Sequence, residues 1–173
     1  MAGLFAVTVV GEDRPGIVAG VTRALYEGGC NLEDVTSTIL RGHFSMVMIV
    51  HAPGDASEGS LGDLMRSAAN ELDIAVTVKE VSDAHGRQTL PTHMVSVYGV
   101  DRPGIVFRVA DLLAKKGSNI TDLTSRVLGP DDDPVYALML EVVLDASVED
   151  DLRSLGKELG VEVTVHPLDA DVL

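Results

Sequence analysis

The sequence predicts an α+β protein built from two tandem βαββαβ units, and three observations support this fold class. First, a stretch of eight residues occurs twice, as Gly-Glu-Asp-Arg-Pro-Gly-Ile-Val from Gly11 and as Gly-Val-Asp-Arg-Pro-Gly-Ile-Val from Gly99. Second, residues 7–40 and 95–128 share 17 identities in 34 positions at a constant shift of 88 (99 − 11). Third, strand-like runs rich in Val and Ile alternate with apolar stripes of helical spacing in each copy.

The first unit is predicted to contain four strands and two helices. Pro15 suits the first helical position, because its fixed φ favours a helix start and its missing N–H would be unpaired there. Gly28-Gly29 ends this helix. Its predicted buried stripe consists of Ile17, Val18, Val21, Ala24 and Leu25. The predicted strands are 4–10, 31–41, 44–51 and 74–81, and Gly11 closes the first of them. A second helical stripe runs through 61–72.

The second unit repeats this plan, with a longer connection between its middle strands. Its predicted elements are strand 93–99, helix 103–116, strands 119–128 and 135–144, a helix striped by Val148, Leu152, Leu155 and Leu159, and strand 161–166. Asp131 to Asp133 are interpreted as a solvated hairpin tip. Because crossovers are right-handed, both helices of a unit fall on one face of a four-stranded antiparallel sheet. This is the ferredoxin-like architecture.

The repeat also predicts the domain organisation. The first domain is expected at 1–82, a polar linker containing Gly and Pro at 83–91, and the second domain at 92–173. Units of this size bury modest cores and leave sheet edges exposed, and exposed edges are usually covered or paired. We therefore expect a homodimer or another homo-oligomer.

Composition and charge exclude several classes of function. The chain carries 13 basic and 27 acidic side chains, a formal charge of −14, so it lacks the basic clusters that bind nucleic acid directly. Cys30 is the single cysteine, which excludes an intrachain disulfide and CxxC motifs and fits a reducing compartment. No signal peptide and no apolar run long enough to span a membrane are found, and we expect a cytoplasmic protein.

The duplicated loop carries the chemistry that the sequence suggests most strongly. At Gly11 to Ile17, unpaired backbone N–H groups at the start of a helix can bind an anion such as a carboxylate. Asp13 can accept hydrogen bonds from an ammonium group, and Asn31 at the head of the next strand offers a donor and an acceptor. The second copy supplies Asp101 and Asn119. A zwitterion needs both charges recognised in one place.

Each of these residues also has a purely structural interpretation. Asp13 would cap the helix, Asn31 would be a turn residue after a left-handed glycine, and Gly16 would relieve crowding where strand turns into helix. Arg14 and Arg102 could pair with a ligand carboxylate, or form a salt bridge with their own neighbouring Asp. The residues alone leave both interpretations open.

The pattern strand, Gly-x-Asp-Arg-Pro-Gly-Ile-Val, helix, Gly-x-Asn-[Leu/Ile], strand resembles the ACT domain, a small regulatory module that binds amino acids. The resemblance covers nearly all of both units, and the tandem pair is similar to the glycine cleavage system transcriptional repressor group. It implies a ligand at the interface of two such domains, held by the loop before the helix and by the Asn. The residues to which it carries over are Gly11, Asp13, Gly16, Ile17 and Asn31 in the first copy and Gly99, Asp101, Gly104, Ile105 and Asn119 in the second. Some serine-binding relatives carry Asn where Asp13 and Asp101 stand.

The leading hypothesis is therefore a non-catalytic regulator that binds a small amino acid, glycine or serine, and transmits its occupancy to a protein partner, in transcriptional control of glycine cleavage. The alternative is a scaffold that uses the same fold to bind an enzyme or regulator without any ligand. An enzyme is disfavoured, because no nucleophile with a base, no paired carboxylates and no metal-ligand set can be named. We expect no cofactor and no bound metal. Cys30 is interpreted as a structural thiol.

Overall fold

The computed structural model describes residues 3–82, 90–130, 134–144 and 148–168 of the chain. The chain divides into two compact units, Met1–His85 and Gly86–Leu173. Residues 83–89 of the predicted linker, which include His85, lie outside the described residues. The predicted hairpin tip at 131–133 lies outside them as well. The domain boundaries at 82 and 92 therefore stay a prediction.

The first unit has the predicted βαββαβ order. Its elements are β1 (Gly3–Glu12), α1 (Ile17–Glu27), β2 (Asn31–Leu40), β3 (His43–Ala52), α2 (Glu58–Leu72) and β4 (Ile74–Glu80). The four strands form one antiparallel sheet in the order β2-β3-β1-β4. Strand β1 therefore lies inside the sheet, while β2 and β4 are its edges.

The second unit repeats the fold with the same strand order. Its elements are β5 (His93–Gly99), α3 (Ile105–Lys115), β6 (Asn119–Leu128), β7 (Val135–Val143), α4 (Glu149–Leu159) and β8 (Glu162–Pro167). The strands form an antiparallel sheet in the order β6-β7-β5-β8. The predicted fold class, two ferredoxin-like units in tandem, is confirmed.

Each core lies between one face of the sheet and both helices of its unit. In the first unit, Val7 and Val9 of the sheet form one cluster with Ile17 of α1 and Met65 of α2. In the second, a larger cluster built mainly of Val and Leu plays the same part. These side chains are almost fully buried, and each contributes about 1.5–3 kcal/mol relative to an exposed position. No helix of the described residues is long and apolar enough to cross a bilayer.

Both first helices begin two residues later than predicted. The N-cap residues are Gly16, with φ 99° and ψ −11°, and Gly104, with φ 97° and ψ −3°. These angles match the third position of a type II turn, for which Pro is the favoured preceding residue. Pro15 therefore belongs to a Pro-Gly turn and not to the helix, and the predicted ranges from Pro15 and from 103 were wrong at their start.

Two other expectations about the first unit were wrong in detail. Strand β1 continues through Gly11, which pairs with both Phe44 and Ile74, so Gly11 does not close the strand. Val18 was assigned to the buried stripe of α1, yet 49% of its surface is exposed. The buried residues of α1 are Ile17, Val21 and Leu25, spaced by four, and Val18 lies about 100° further round the helix, outside this stripe.

Candidate functional site

We define the Pro-Gly loops as residues 13–16 and 101–104. They lead into helix N-termini that no side chain of the described residues caps. Neither α1 nor α3 has a side-chain cap hydrogen bond or an acidic residue in its first turn. In contrast, Ser57 and Ser60 form a complete capping box at the start of α2. The first backbone N–H groups of α1 and α3 therefore remain available as donors, at the positive end of a helix dipole.

Asp13 is exposed and does not cap α1, so the capping interpretation of this residue was wrong. Its backbone N–H instead donates a hydrogen bond of 2.8 Å to the carbonyl oxygen of Gly42 in the turn between β2 and β3. This bond fixes the first Pro-Gly loop against the adjacent hairpin. Asp101 is exposed as well, and each Asp lies four residues before the first residue of its uncapped helix, Ile17 or Ile105.

The four glycines of the duplicated motif have two different structural roles. A Cβ on Gly16 or Gly104 would meet no atom within 4 Å, so relief of crowding does not explain them; their positive φ does. A Cβ on Gly11 would lie 2.6 Å from Cγ2 of Ile74, and one on Gly99 2.8 Å from Cγ1 of Val161. Gly11 and Gly99 therefore allow the last strand of each sheet, or the residue before it, to approach closely.

Both arginines of the motif point towards the end of the second helix of their own unit. Arg14 Nη2 donates to the carbonyl oxygen of Glu71 at 3.4 Å, in the last turn of α2. Arg102 Nη1 lies 3.7 Å from the position of a Cβ on Gly160, the C-cap residue of α4. A cation at a helix C-terminus is favourable. Among the described residues, neither Arg14 nor Arg102 forms a salt bridge with its own Asp. A carboxylate ligand would compete with the helix end for these guanidinium groups.

The side chains of Ile17 and Ile105 belong to the hydrophobic cores. They are 2% and 3% exposed and pack in the clusters of the first and second unit. Only their main-chain atoms remain for any contact with a ligand. The repetition of Ile at this position is explained by core packing alone.

Asn31 and Asp13 lie at opposite ends of the same sheet. Asn31 pairs with His51, which pairs with Leu4 near the start of β1, whereas Asp13 follows Glu12 at its end. The eight residue steps from Leu4 to Glu12 (12 − 4) span roughly 27 Å at about 3.4 Å per step. Asn31 is exposed and begins β2, so it is not a turn residue.

The second unit has the same separation. Asn119 pairs with Val143, next to the start of β5, while the Pro-Gly loop follows Gly99 at the end of β5. One unit therefore does not bring its loop and its Asn together. A site that uses both must combine the loop of one ACT-like sheet with the Asn of another.

A groove lies elsewhere in the first unit, between α1 and α2. It has a volume of about 490 Å³, and Gly16 is the only predicted site residue that lines it. Gly20 in this groove is explained by close helix packing, because a Cβ on it would lie 2.7 Å from Leu72. The same holds for Gly28 at the C-cap of α1, where a Cβ would lie 2.3 Å from Leu64. The corresponding groove of about 460 Å³ between α3 and α4 is lined by paired charges such as Arg108 and Glu158, which are 2.6 Å apart.

Two features of the edge strand β2 could not be predicted from the sequence. Every residue of β2 is exposed, although the strand carries Val35 and Ile39, which are 54% and 55% exposed. The carboxylate of Glu33, at the bulge of β2, lies 2.8 Å from Nδ1 of His51. Alternation in the sequence identified the strand but carried no signal for which edge it forms.

The remaining reactive groups show no built site. Within the described segments, no cluster of three or more His, Cys, Asp or Glu side chains is arranged to hold a metal ion. Cys30 packs against the first core, and burial raises the pKa of its thiol. A raised pKa keeps the thiol protonated at neutral pH, which suits a structural cysteine.

Comparison with known proteins agrees with this fold. Two ACT domain models match the chain, at residues 4–79 and 93–160. A UPF0237 protein of Methanopyrus kandleri is 46% identical over 74 residues, covering 42% of this chain and 82% of that protein. The glycine cleavage system transcriptional repressor of Escherichia coli is 27% identical over 168 residues, covering 92% of this chain and 87% of that protein.

Among solved structures, a Galdieria sulphuraria protein aligns with a TM-score of 0.77 and 27% identity, covering 98% of this chain and all of that one. The two family models together span 144 residues (76 + 68) of 173, well over half of the sequence. The chain belongs to the ACT domain family and contains two ACT domains in tandem.

Proposed function

We propose that this chain is a non-catalytic, cytoplasmic regulatory protein that binds a small amino acid, glycine or serine, where two ACT domains meet. Occupancy of the site favours one arrangement of the domains and so changes the affinity for a protein partner. Such couplings are typically about 1–3 kcal/mol. Membership of the ACT family and the tandem arrangement support a regulatory, ligand-binding role.

The observation that carries the proposal is an uncapped helix start that follows an exposed Asp in the same short loop, and it occurs in both units. The N–H groups at the start of α1 can bind the carboxylate of an amino acid, as can those of α3. The carboxylates of Asp13 and Asp101 then accept hydrogen bonds from the ammonium group. This combination is specific for a ligand with opposite charges a few ångströms apart.

Asn31 and Asn119 complete the site only from a neighbouring domain. Each lies at the end of its sheet remote from its own Pro-Gly loop. Antiparallel pairing of two ACT-domain edges would place the Asn of one domain beside the loop of the other. Ligand binding would then depend on assembly, which gives the physical link between occupancy and rearrangement.

The comparisons support a narrower version of the proposal. The relative in Escherichia coli that matches 92% of this chain is named as a repressor of the glycine cleavage system. We propose that this chain also acts in the transcriptional control of glycine cleavage, and glycine is the ligand to test first. A formal charge of −14 disfavours direct contact with DNA, so regulation would pass through a protein partner.

A ligand-independent scaffold is the second candidate, and one observation favours it. The first Pro-Gly loop is already held by protein contacts, from Asp13 N–H to Gly42 and from Arg14 to Glu71. A loop fixed in this way could serve the fold alone. Partner capture that does not respond to any amino acid would support this candidate.

A panel of the twenty common amino acids, screened by thermal shift and then by calorimetry, tests the proposal. We expect glycine or serine to stabilise the protein. Asp13→Ala combined with Asp101→Ala should weaken binding at least tenfold, because it removes both side-chain acceptors for the ammonium group. Glu27→Gln, a charge loss at the opposite end of α1, is the control. Absence of binding across the whole panel would contradict the proposal.

A further inference from the structure

The outer faces of α1 and α3, which point away from their sheets, carry the two most exposed aromatic side chains of the chain. Tyr26 of α1 is 81% exposed and Phe107 of α3 is 67% exposed. We define the outer stripe of each helix by four residues, Ala19, Arg23, Tyr26 and Glu27 on α1, and Phe107, Asp111, Ala114 and Lys115 on α3. At about 100° per residue, these stripes lie on the opposite side of each helix from its buried residues. Aromatic residues are enriched at protein interfaces, so these faces are candidates for one.

Large and small residues exchange places between the two outer stripes. At the shift of 88 that relates the units, Phe107 is equivalent to Ala19 (107 − 19) and Tyr26 is equivalent to Ala114 (114 − 26). Both helices have 11 residues and begin and end at equivalent positions. If α1 of one copy packs parallel and in register beside α3 of another, each ring therefore lies against an alanine. Packed helix axes are about 8–10 Å apart, and a ring facing an alanine fits this spacing better than two facing rings.

The charged residues of the outer stripes exchange sign in the same way. Arg23 is equivalent to Asp111 (111 − 23), and Glu27 is equivalent to Lys115 (115 − 27). Asp111 and Lys115 pair within α3 at 2.7 Å, whereas no salt bridge to Arg23 or Glu27 is formed by any described residue. In the parallel arrangement, Arg23 lies beside Asp111 of the other copy and Glu27 beside Lys115. Cation and anion therefore meet twice across the contact, which is the complementarity that selects a partner.

The same charges disfavour the other pairings of these helices. Two parallel α1 helices in register would place Arg23 against Arg23, and two α3 helices would place Asp111 against Asp111. An antiparallel α1 and α3 that keep Arg23 beside Asp111 would place Glu27 against the ring of Phe107. Like charges in contact, and a carboxylate facing an apolar ring, oppose association. Of these arrangements, the parallel pairing of α1 with α3 is the one that matches at all four positions.

We propose that the outer stripe of α1 docks on the outer stripe of α3 of a second copy of this chain, parallel and in register. In a two-fold symmetric dimer this contact occurs twice, because each copy supplies both helices. The contact uses neither the sheet edges nor Asn31 and Asn119. It therefore goes beyond the proposed function, and it is measurable without any amino acid.

Charge reversal with complementation tests the pairing directly. Arg23→Glu brings a carboxylate beside Asp111, and Asp111→Arg brings a guanidinium beside Arg23. Each variant alone should therefore associate at least tenfold more weakly than the wild type and sediment as a smaller assembly. An equimolar mixture of the two variants restores opposite charges at each contact between unlike chains and should recover the wild-type assembly. This recovery requires contact between chains, because a contact within one chain gains nothing from mixing.

Arg66→Glu on α2 is the matched control, since it changes the net charge by the same amount as Arg23→Glu outside the outer stripes. It should associate like the wild type. If the two stripe variants sediment like the wild type, or if their mixture is no larger than either variant alone, the proposal is overturned. An association that is as weak in Arg66→Glu as in Arg23→Glu would overturn it as well, because net charge would then explain the effect.

Removal of an aromatic ring tests the apolar part of the contact. Phe107→Ala should weaken association at least tenfold, and it should leave the thermal midpoint of the dilute chain nearly unchanged because the ring is 67% exposed. Leu90→Ala, at a site 58% exposed before β5, is the control and should associate like the wild type. Wild-type association of Phe107→Ala would overturn the proposal. If association follows the expected pattern while no amino acid binds, the helix contact stands and the proposed function fails.

Discussion

The backbone N–H of Asp13 donates a hydrogen bond of 2.8 Å to the carbonyl oxygen of Gly42. This contact joins the loop before α1 to the turn between β2 and β3. It fixes the main chain that precedes the helix while the side chain of Asp13 stays exposed. The hydrogen bond therefore fixes the loop through its main chain, and among the described residues the Asp13 carboxylate forms no hydrogen bond or salt bridge.

Amide hydrogen exchange should distinguish the hydrogen-bonded amide of Asp13 from the unpaired amides in the first turn of α1. We expect the amide of Asp13 to exchange at least tenfold more slowly than the amide of Ala19, which has no intrahelical acceptor in the first turn of α1. A bound carboxylate at the helix start would slow the exchange of Ala19 and leave Asp13 nearly unchanged. Equal exchange of the two amides without ligand would contradict the described geometry.

Substitution of the N-cap glycines should destabilise the protein through backbone strain alone. Gly16→Ala and Gly104→Ala each force a residue with Cβ to adopt φ near +100°, which costs about 1–2 kcal/mol of unfolding free energy. Gly62→Ala in α2 is the matched control, since a Cβ there meets no atom within 4 Å and the helix favours Ala by about 0.5–1 kcal/mol. Urea unfolding measures all three. A stabilising effect of Gly16→Ala would show that the positive φ is wrong.

The two Pro-Gly loops could be recognised from the repeated motif, but the backbone conformation at which each helix begins could not be fully predicted. The Pro-Gly pair is compatible both with a helix start at Pro15 and with a type II turn that ends at Gly16. Local propensity does not separate these alternatives by much, so the helix boundary was wrong by two residues.

The position of Asn31 illustrates a second limit. The order of strands along the chain was predicted correctly, and with it the antiparallel sheet. Strands β1 and β2 both pair antiparallel with β3 and so run parallel to each other, which puts Asn31 at the end of the sheet where β1 begins. The predicted crossover therefore already implies that Asn31 and the Pro-Gly loop lie at opposite ends of the sheet, whereas the exact residue pairs are a property of non-local pairing and could not be predicted.

Glu58 at the start of α2 should make stability depend on pH. Its Oε1 accepts a hydrogen bond from the backbone N–H of Glu80 at 2.9 Å and lies 3.0 Å from Nζ of Lys79. These contacts, first the backbone bond and then the lysine, lower the pKa of Glu58 below its ordinary value. The ionised form therefore stabilises the fold above the unfolded pKa of about 4.3, and this contribution is lost as the pH falls through the folded pKa.

Glu58→Gln should accordingly reduce the free energy of unfolding at pH 7 and have little effect near pH 3. Urea unfolding from pH 3 to pH 7 gives the difference between variant and wild type at each pH. Ser57→Ala, which removes the neutral capping box of α2, is the control and should cost about 1 kcal/mol at every pH. If the loss of unfolding free energy in Glu58→Gln is constant from pH 3 to pH 7, the lowered pKa of Glu58 is refuted.

Cys30 should react slowly with thiol reagents in the folded protein. Burial raises the pKa of its thiol, and only the thiolate is nucleophilic. We expect Ellman's reagent to modify native protein at least tenfold more slowly than protein unfolded in guanidinium chloride at pH 7.5. Cys30→Ser should fold normally, since Ser118 occupies the equivalent position of the second unit. Equal rates in the folded and unfolded states would argue against a structural role.

The central claim, that the two Pro-Gly loops bind an amino acid together with an Asn from a neighbouring domain, is tested most directly by calorimetric titration of glycine and serine. The wild-type chain and the double variant Asn31→Ala, Asn119→Ala are compared at equal concentration. The account predicts saturable binding to the wild type and at least tenfold weaker binding to the double variant. Equal affinity in both proteins, or no heat of binding in either, would contradict it.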